Sequence, residues 1–306
     1  MIFRFKVRLA GLFLLLLLAL PTSVAAQQEE KFEFESYKDV NQLFEELGYT
    51  EAAWNEGLRE VNRVYLQNIP SRWRHKHSQE VEVKMKKELF LRVLAPLVLR
   101  SNELILEDRA RLQSLADSGE LDDPWLRELA VRYRVIDSVE DSGLDDTSLA
   151  ELLARVDSIP NSLALAQTIE ESGWGTSRFA DQGNAMFGQW AWGENAIKPE
   201  QQRSGKGNYG IAAFNSPLES VQGYMLNINT HRAYTPLRDK RATIRSAGGV
   251  PSGEDLATTL VNYSERGQHY VDSLNSIMRY NKLNEIDEAT LVGQVILLVP
   301  AGEGAD

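Results

Sequence analysis

The stretch PNSLALAQTIEESGWG, Pro160 to Gly175, marks both ends of a helix. Proline suits a first helical turn, where its missing N–H leaves nothing unsatisfied. Glycine suits the residue just past the last turn, where a left-handed backbone closes the helix. A helix over residues 160–172 puts Glu170 and Glu171 in its final turn. The negative end of the helix dipole lies there and disfavours an ionised carboxylate. Burial would act in the same direction, and a carboxyl group kept protonated near neutral pH is what a general acid requires. With about 100° between successive residues, Leu165 and Ile169 share one face, and Glu170 lies at the edge of that apolar arc. Glu171 shares its stripe with Ala164, Gln167 and Thr168.

Aromatic residues follow the acids. Gly173 and Gly175 let the backbone turn sharply, and Trp174, Phe187, Trp190 and Trp192 supply flat apolar faces. The C–H patches of sugar rings stack on such faces, so a proton donor beside them outlines a glycosidase cleft. Acids in a last helical turn also occur as solvated surface groups, and aromatics after glycine also occur as core. Residue types alone leave both readings open.

The rest of the chain sets limits. Its 306 residues suffice for one large domain or two modest ones. It has no cysteine, which excludes disulfides, thiolate metal sites and cysteine nucleophiles. The basic start MIFRFKVR, the apolar LAGLFLLLLLAL and the small residues of PTSVAAQ follow the order of a secretory signal peptide, cut after Ala26. The apolar run is shorter than the roughly 20 residues of a membrane span, so the expectation is an exported protein of the periplasm or cell wall with no stable membrane anchor. Loss of residues 1–26 removes Arg4, Lys6 and Arg8, leaving 30 basic against 44 acidic residues, a net charge of −14. Such a chain does not suit phosphate neutralisation on nucleic acid, nor does it offer a basic face to anionic lipid. His75 and His77 form an H-x-H that no cysteine, histidine or acid cluster completes, so they read as a solvated loop rather than a metal site. No metal or organic cofactor is expected.

Apolar spacing predicts helix over residues 34–70 and a long helical stretch from Val81 to Gly119, kinked or broken near Pro96. Acidic turns, GELDDP and DSGLDD, flank a short helix at WLRELAVRYRV. The second half changes character. DDTSLAELLARVDSIP reads as an amphipathic helix, and MFGQWAW and YGIAAF, separated by RSGKGN, read as a small hairpin lobe. Helices return at PLESVQGYMLNINT, GEDLATTLVNYS and YVDSLNSIMRYNKL, and ATLVGQVILLVP ends the chain as a paired or buried strand.

The combination LALAQTIEESGWGTSRFA…GNAMFG resembles the bacterial glucosaminidase domain of peptidoglycan hydrolases, the flagellar-rod and autolysin type, and within it the Bax-like branch. The matching elements are Ala166-Gln167, Glu171-Ser172-Gly173-Trp174-Gly175 and Asn184-Ala185-Met186-Phe187-Gly188. The last carries one residue more before Phe than the common Asn-Leu-Phe-Gly, so Ala185 and Met186 take the place of Asn and Leu if the register shifts. The late Gly-Tyr-Ala-Thr-Asp-x-x-Tyr element has a degraded counterpart between Asn262 and Tyr270.

The resemblance implies an α+β, mostly helical, lysozyme-like domain with a small β-hairpin lobe, preceded by an all-helical N-terminal region. The boundaries are a signal peptide over 1–26, a helical region over 27–140, the glucosaminidase domain over 141–284 and a tail over 285–306. It also implies that Glu171, not Glu170, is the catalytic acid. A second carboxylate belongs to the hairpin lobe, where Glu194 and Glu200 are available, and Glu200 is preferred because it stands nearer the expected strand. Tyr263 is expected to line the reaction centre, with Trp174, Phe187, Trp190 and Tyr270 binding substrate. The expected activity is an endo-β-N-acetylglucosaminidase acting on peptidoglycan glycan strands. A lytic transglycosylase or muramidase on the same fold, and a non-catalytic glycan-binding scaffold, remain alternatives.

Overall fold

The two ends of the chain meet in one parallel sheet. The computed structural model describes residues 29–141, 144–193, 196–202 and 207–302. The signal-peptide segment and Glu194 lie outside the described residues. Strand β1 (Glu30–Phe34) and strand β2 (Glu60–Leu66) flank strand β5 (Thr290–Pro300), both running parallel to it. Phe32 and Leu66 both lie opposite Leu298. β5 is rich in valine, leucine and isoleucine, as a strand with a partner on each edge should be. The β2–β5 register shifts between Asn62 and Val64, and Gly293 of β5 sits there at φ 77°, a left-handed backbone that glycine adopts without strain.

Along the chain α1 (Tyr37–Glu46) and α2 (Glu51–Asn55) connect β1 to β2. Helix was expected throughout residues 34–70, and over β2 that expectation fails. EVNRVYL carries two β-branched residues and a tyrosine, and Val61 and Val64 are fully buried in the sheet. The N-terminal region is therefore not all-helical.

A π-helical turn at Trp73–His77 and α3 (Ser78–Glu80) lead into α4, which runs from Val83 to Ser118. α4 continues as one helix through Pro96, so of the kink or break expected there the break does not occur. Its neighbours Leu94, Ala95, Leu97 and Val98 are all buried, and packing of that kind offsets the hydrogen bond a proline cannot make. Then follow α5 (Pro124–Arg132), α6 (Asp146–Arg155), α7 (Asn161–Ser172) and α8 (Arg178–Gly183). Strands β3 (Trp190–Trp192) and β4 (Tyr209–Ile211) pair antiparallel as the expected hairpin lobe. Helices α9 (Pro217–Thr230), α10 (Thr235–Ser246), α11 (Gly253–Ala257) and α12 (Gln268–Tyr280) complete the mostly helical α+β fold.

α4 is the spine, packing against β2, α7 and α9. One hydrophobic core runs from Phe34 through Leu97, Leu165 and Tyr224 to Leu298. The region over 27–140 thus supplies both outer strands and the spine, and the tail supplies the central strand. The sheet and core join segments that the sequence boundaries separate.

Candidate active site

The site is built on the C-terminal turn of α7. Every residue from Ser162 to Ile169 is buried, so α7 is held on all sides. Its N-terminus has no side-chain cap of its own, because Pro160 has none to offer. Asp287, from beyond α12, does that job by accepting from Ser162 N–H at 2.8 Å and from Ser162 Oγ at 2.6 Å. Asn102 of α4 donates to the Ile159 carbonyl at 2.6 Å and accepts from the Ile159 N–H at 3.0 Å, fixing the approach to the helix. Gly173 closes the other end at φ 56°.

The two glutamates of the last turn part company. Glu170 pairs with Arg266 and accepts from Ser273 Oγ at 2.9 Å. Glu171 is partly buried and turns towards a group of tyrosines. Tyr270 O–H donates to Glu171 Oε1 at 2.8 Å, and the same hydroxyl accepts from Gln167 Nε2 at 3.0 Å. Gln167 Oε1 in turn accepts from Tyr224 O–H. With its lone pair taken by Gln167, Tyr270 directs its proton at Glu171. Tyr263 stacks on Tyr270 with ring centres 5.2 Å apart, and Tyr234 lies 5.8 Å from Tyr263. Phe187 stacks on Tyr224 at 3.9 Å. On the other side, a Cβ placed on Gly188 would stand 3.9 Å from Glu171 Oε2, so only backbone faces that oxygen there.

Burial raises the Glu171 pKa above the ordinary carboxylate value, and the neighbouring Glu170 charge adds to it. The Tyr270 hydrogen bond and Arg266 oppose the shift. Burial also pushes Tyr224 and Tyr263 well up, with the Glu171 charge contributing, so the tyrosines stay protonated donors. The result is a carboxyl group that keeps its proton more readily than a free glutamate, with Oε1 bonded to Tyr270 and Oε2 on the side of Gly188.

Of the residues expected at the site, Glu171, Tyr263 and Tyr270 come together, and Phe187 joins through Tyr224 and Gln167. Tyr270 and Phe187 are buried, so neither presents an open stacking face. Trp174 turns elsewhere, edge-on to Phe90 at 5.5 Å with Lys87 Nζ 5.2 Å from its ring. Trp190 is 41% exposed and stacks on Tyr209 at 4.5 Å. Glu200 has a side chain 84% exposed, 3.8 Å from Arg178 Nε. No hydrogen bond or ion pair among the described residues joins it to Glu171. His75 pairs with Asp181 at 3.2 Å. Asn184 of the Asn-x-Phe-Gly element is structural: it accepts from Ile69 N–H at 2.8 Å and donates to the Phe214 carbonyl at 3.1 Å.

Three site residues were not anticipated as such. Gln167 carries two signals, the Ala-Gln pair and its place on the helical stripe of Glu171, neither of which gives it a role. Tyr224 and Tyr234 carry no local mark at all, since their place beside Glu171 comes from the packing of α9 and the turn after it.

Residues 147–283 match the glucosaminidase family, whose description reads mannosyl-glycoprotein endo-β-N-acetylglucosaminidase. The chain is 31% identical over 200 residues to the protein bax of Escherichia coli strain K12, covering 64% of this chain and 70% of that protein. No solved structure matches. Glu171, Gln167, Tyr224, Tyr234, Tyr263 and Tyr270 all fall inside the matched segment. Among the described residues no helix is long and apolar enough to cross a membrane.

Proposed function

The chain belongs to the bacterial glucosaminidase-domain family, in its Bax-like branch, and on that premise we propose that it is an exported endo-β-N-acetylglucosaminidase hydrolysing the glycan strands of peptidoglycan. The observation that carries this reading is the Glu171 carboxyl, raised in pKa by burial, bonded by Tyr270 at Oε1 and flanked by Gly188 at Oε2.

A glycosidic oxygen entering on the Gly188 side meets Oε2. Glu171 gives it a proton as the bond to the leaving sugar breaks, and positive charge develops on the ring carbon and ring oxygen. The new carboxylate is the form that the Tyr270 hydrogen bond favours, so the network stabilises the acid after donation. Tyr263, stacked on Tyr270, positions substrate or water, and the exposed indole of Trp190 offers a face for a sugar ring. Glu200 activates water or stabilises the oxocarbenium-like state only after the hairpin lobe closes, because it stands exposed beside Arg178. The amino-terminal segment directs export and is cleaved.

The outlying Glu200 favours a second reading, a glycan-binding scaffold without turnover. Electrophoresis in gels containing peptidoglycan separates the two. Clearing that persists in Glu170→Gln and disappears in Glu171→Gln supports the hydrolase. Binding to sacculi without clearing supports the scaffold.

A further inference from the structure

A second concave site lies between α2, the first turns of α4 and the segment following α12. It has a volume of about 460 Å³, and its lining includes Trp54, Lys84, Glu88, Arg92 and Tyr280. Its charges pair among themselves, Lys84 with Glu51 at 2.7 Å and with Glu88 at 3.4 Å, and the most buried of them are the most weakly bonded. Arg92 is only 8% exposed, yet it makes one hydrogen bond among the described residues, from Nη1 to Asn41 Oδ1 at 3.4 Å. Its nearest carboxylates, Glu45 and Glu88, stand 3.9 and 3.7 Å away. Glu88 Oε1 is buried with no hydrogen-bond partner, although Lys84 Nζ approaches to 3.4 Å. Folded interiors ordinarily satisfy such groups, because a buried charge without hydrogen bonds is costly. Aromatic faces stand beside the pair. Tyr280 is 80% exposed, and Trp54 is partly buried with Arg59 over its ring.

We propose that this cleft binds a short peptide bearing both a free carboxylate and a free amine. Resting on the hydrolase reading above, the peptide is the stem that hangs from the glycan strand. The Arg92 fork matches a carboxylate, which also draws Lys84 from its 2.7 Å bond to Glu51, Glu88 Oε1 matches an ammonium, and Trp54 and Tyr280 cover the aliphatic parts between. A phosphate-rich ligand would meet Glu51, Glu88 and Glu285 in the same lining. A neutral sugar would leave the buried ion pair unsatisfied.

The cleft borders the helix that carries Glu171, since Leu165 of α7 is among its lining. Lys87 lines the cleft and lies 5.2 Å from the Trp174 ring, so one wall is shared with the turn that follows Glu171.

The test is a tryptophan-fluorescence titration of the full chain with the tripeptide L-alanyl-γ-D-glutamyl-meso-diaminopimelate, with chitotetraose as competitor. It is repeated in Lys84→Ala, Tyr280→Ala and Glu171→Gln. Lys84 and Tyr280 are 70% and 80% exposed, so both variants should fold, which their thermal midpoints check. The expected result is saturable tripeptide binding in the wild type and in Glu171→Gln, unaffected by chitotetraose. Binding should weaken about tenfold or more in Lys84→Ala and Tyr280→Ala, the usual scale for loss of a charge-assisted bond or an aromatic contact. Absence of saturation, wild-type affinity in the two cleft variants, or displacement by chitotetraose overturns the proposal. Catalysis is not read, so an inactive protein that still binds the tripeptide counts against the hydrolase reading and not against the cleft.

Discussion

Glu170 and Glu171 are neighbours in sequence and belong to different environments. The helix and its end were legible from Pro160 and Gly173, and the resemblance selected Glu171. The physical separation was not legible, because Arg266, Ser273 and Tyr270 arrive from about one hundred residues away. Glu171→Gln should lose about 10²–10⁴-fold in turnover, the usual effect of removing a general acid. Glu170→Gln breaks an exposed ion pair of about 1 kcal/mol or less and should retain most activity. The stability effect of Glu171 follows from its raised pKa. The native state holds this proton more tightly than the unfolded chain, so the contribution is full below the ordinary value of 4.5 and is lost as pH rises through the folded value. Glutamine does not titrate. Thermal midpoints measured from acid to neutral pH should therefore move in favour of Glu171→Gln as pH increases. The proposed acid role needs the same protonated form, so the alkaline limb of activity should fall above the ordinary carboxylate range. Tyr270→Phe keeps the ring on Tyr263 and removes a bond that favours the carboxylate. Its alkaline limb in kcat/KM should shift to higher pH, and a shift to lower pH would contradict the hydrogen-bond assignment.

Element boundaries were readable wherever local chemistry marks them. α7 and α9 occupy the expected stretches because proline opens and glycine or a cap residue closes them. β2 was read as helix, since its apolar residues fit either period until a partner strand is known. Its partner is β5, at the far end of the chain, and parallel pairing leaves no turn signature between the two. The hairpin lobe was legible from its glycines and aromatics. Gly210 shows why one glycine is needed: a Cβ there would stand 2.7 Å from Ala196 Cβ and 2.9 Å from the Ile197 carbonyl. Gly210→Ala should force these segments apart and break the reciprocal 2.9 Å bonds between Ile197 and Ile211. Hydrogen exchange at those two amides should accelerate, with the global thermal midpoint nearly unchanged because the lobe's strands are only three residues each. A large fall in the midpoint would mean the lobe is part of the main core.

At the scale of the molecule, the sequence separated a helical region, a catalytic domain and a tail. The sheet order β1-β5-β2 and the packing of α4 on α7 and α9 tie them together. That dependence was hidden because every chemical motif stands after residue 160, while the apolar partners of those helices carry no motif. A fragment of residues 141–306 leaves β5 with two open edges and strips α4 from the back of α7. It should be insoluble or unfold without a cooperative transition in calorimetry. A sharp transition in that fragment would show that the second half folds alone. The central claim, hydrolysis with Glu171 as the acid, is tested most directly by mass analysis of sacculi digested with the wild type and with Glu171→Gln. The account predicts fragments ending in reducing N-acetylglucosamine from the wild type and at least about 10²-fold less from the variant. Reducing or anhydro N-acetylmuramic ends, or equal release by Glu171→Gln, would contradict it.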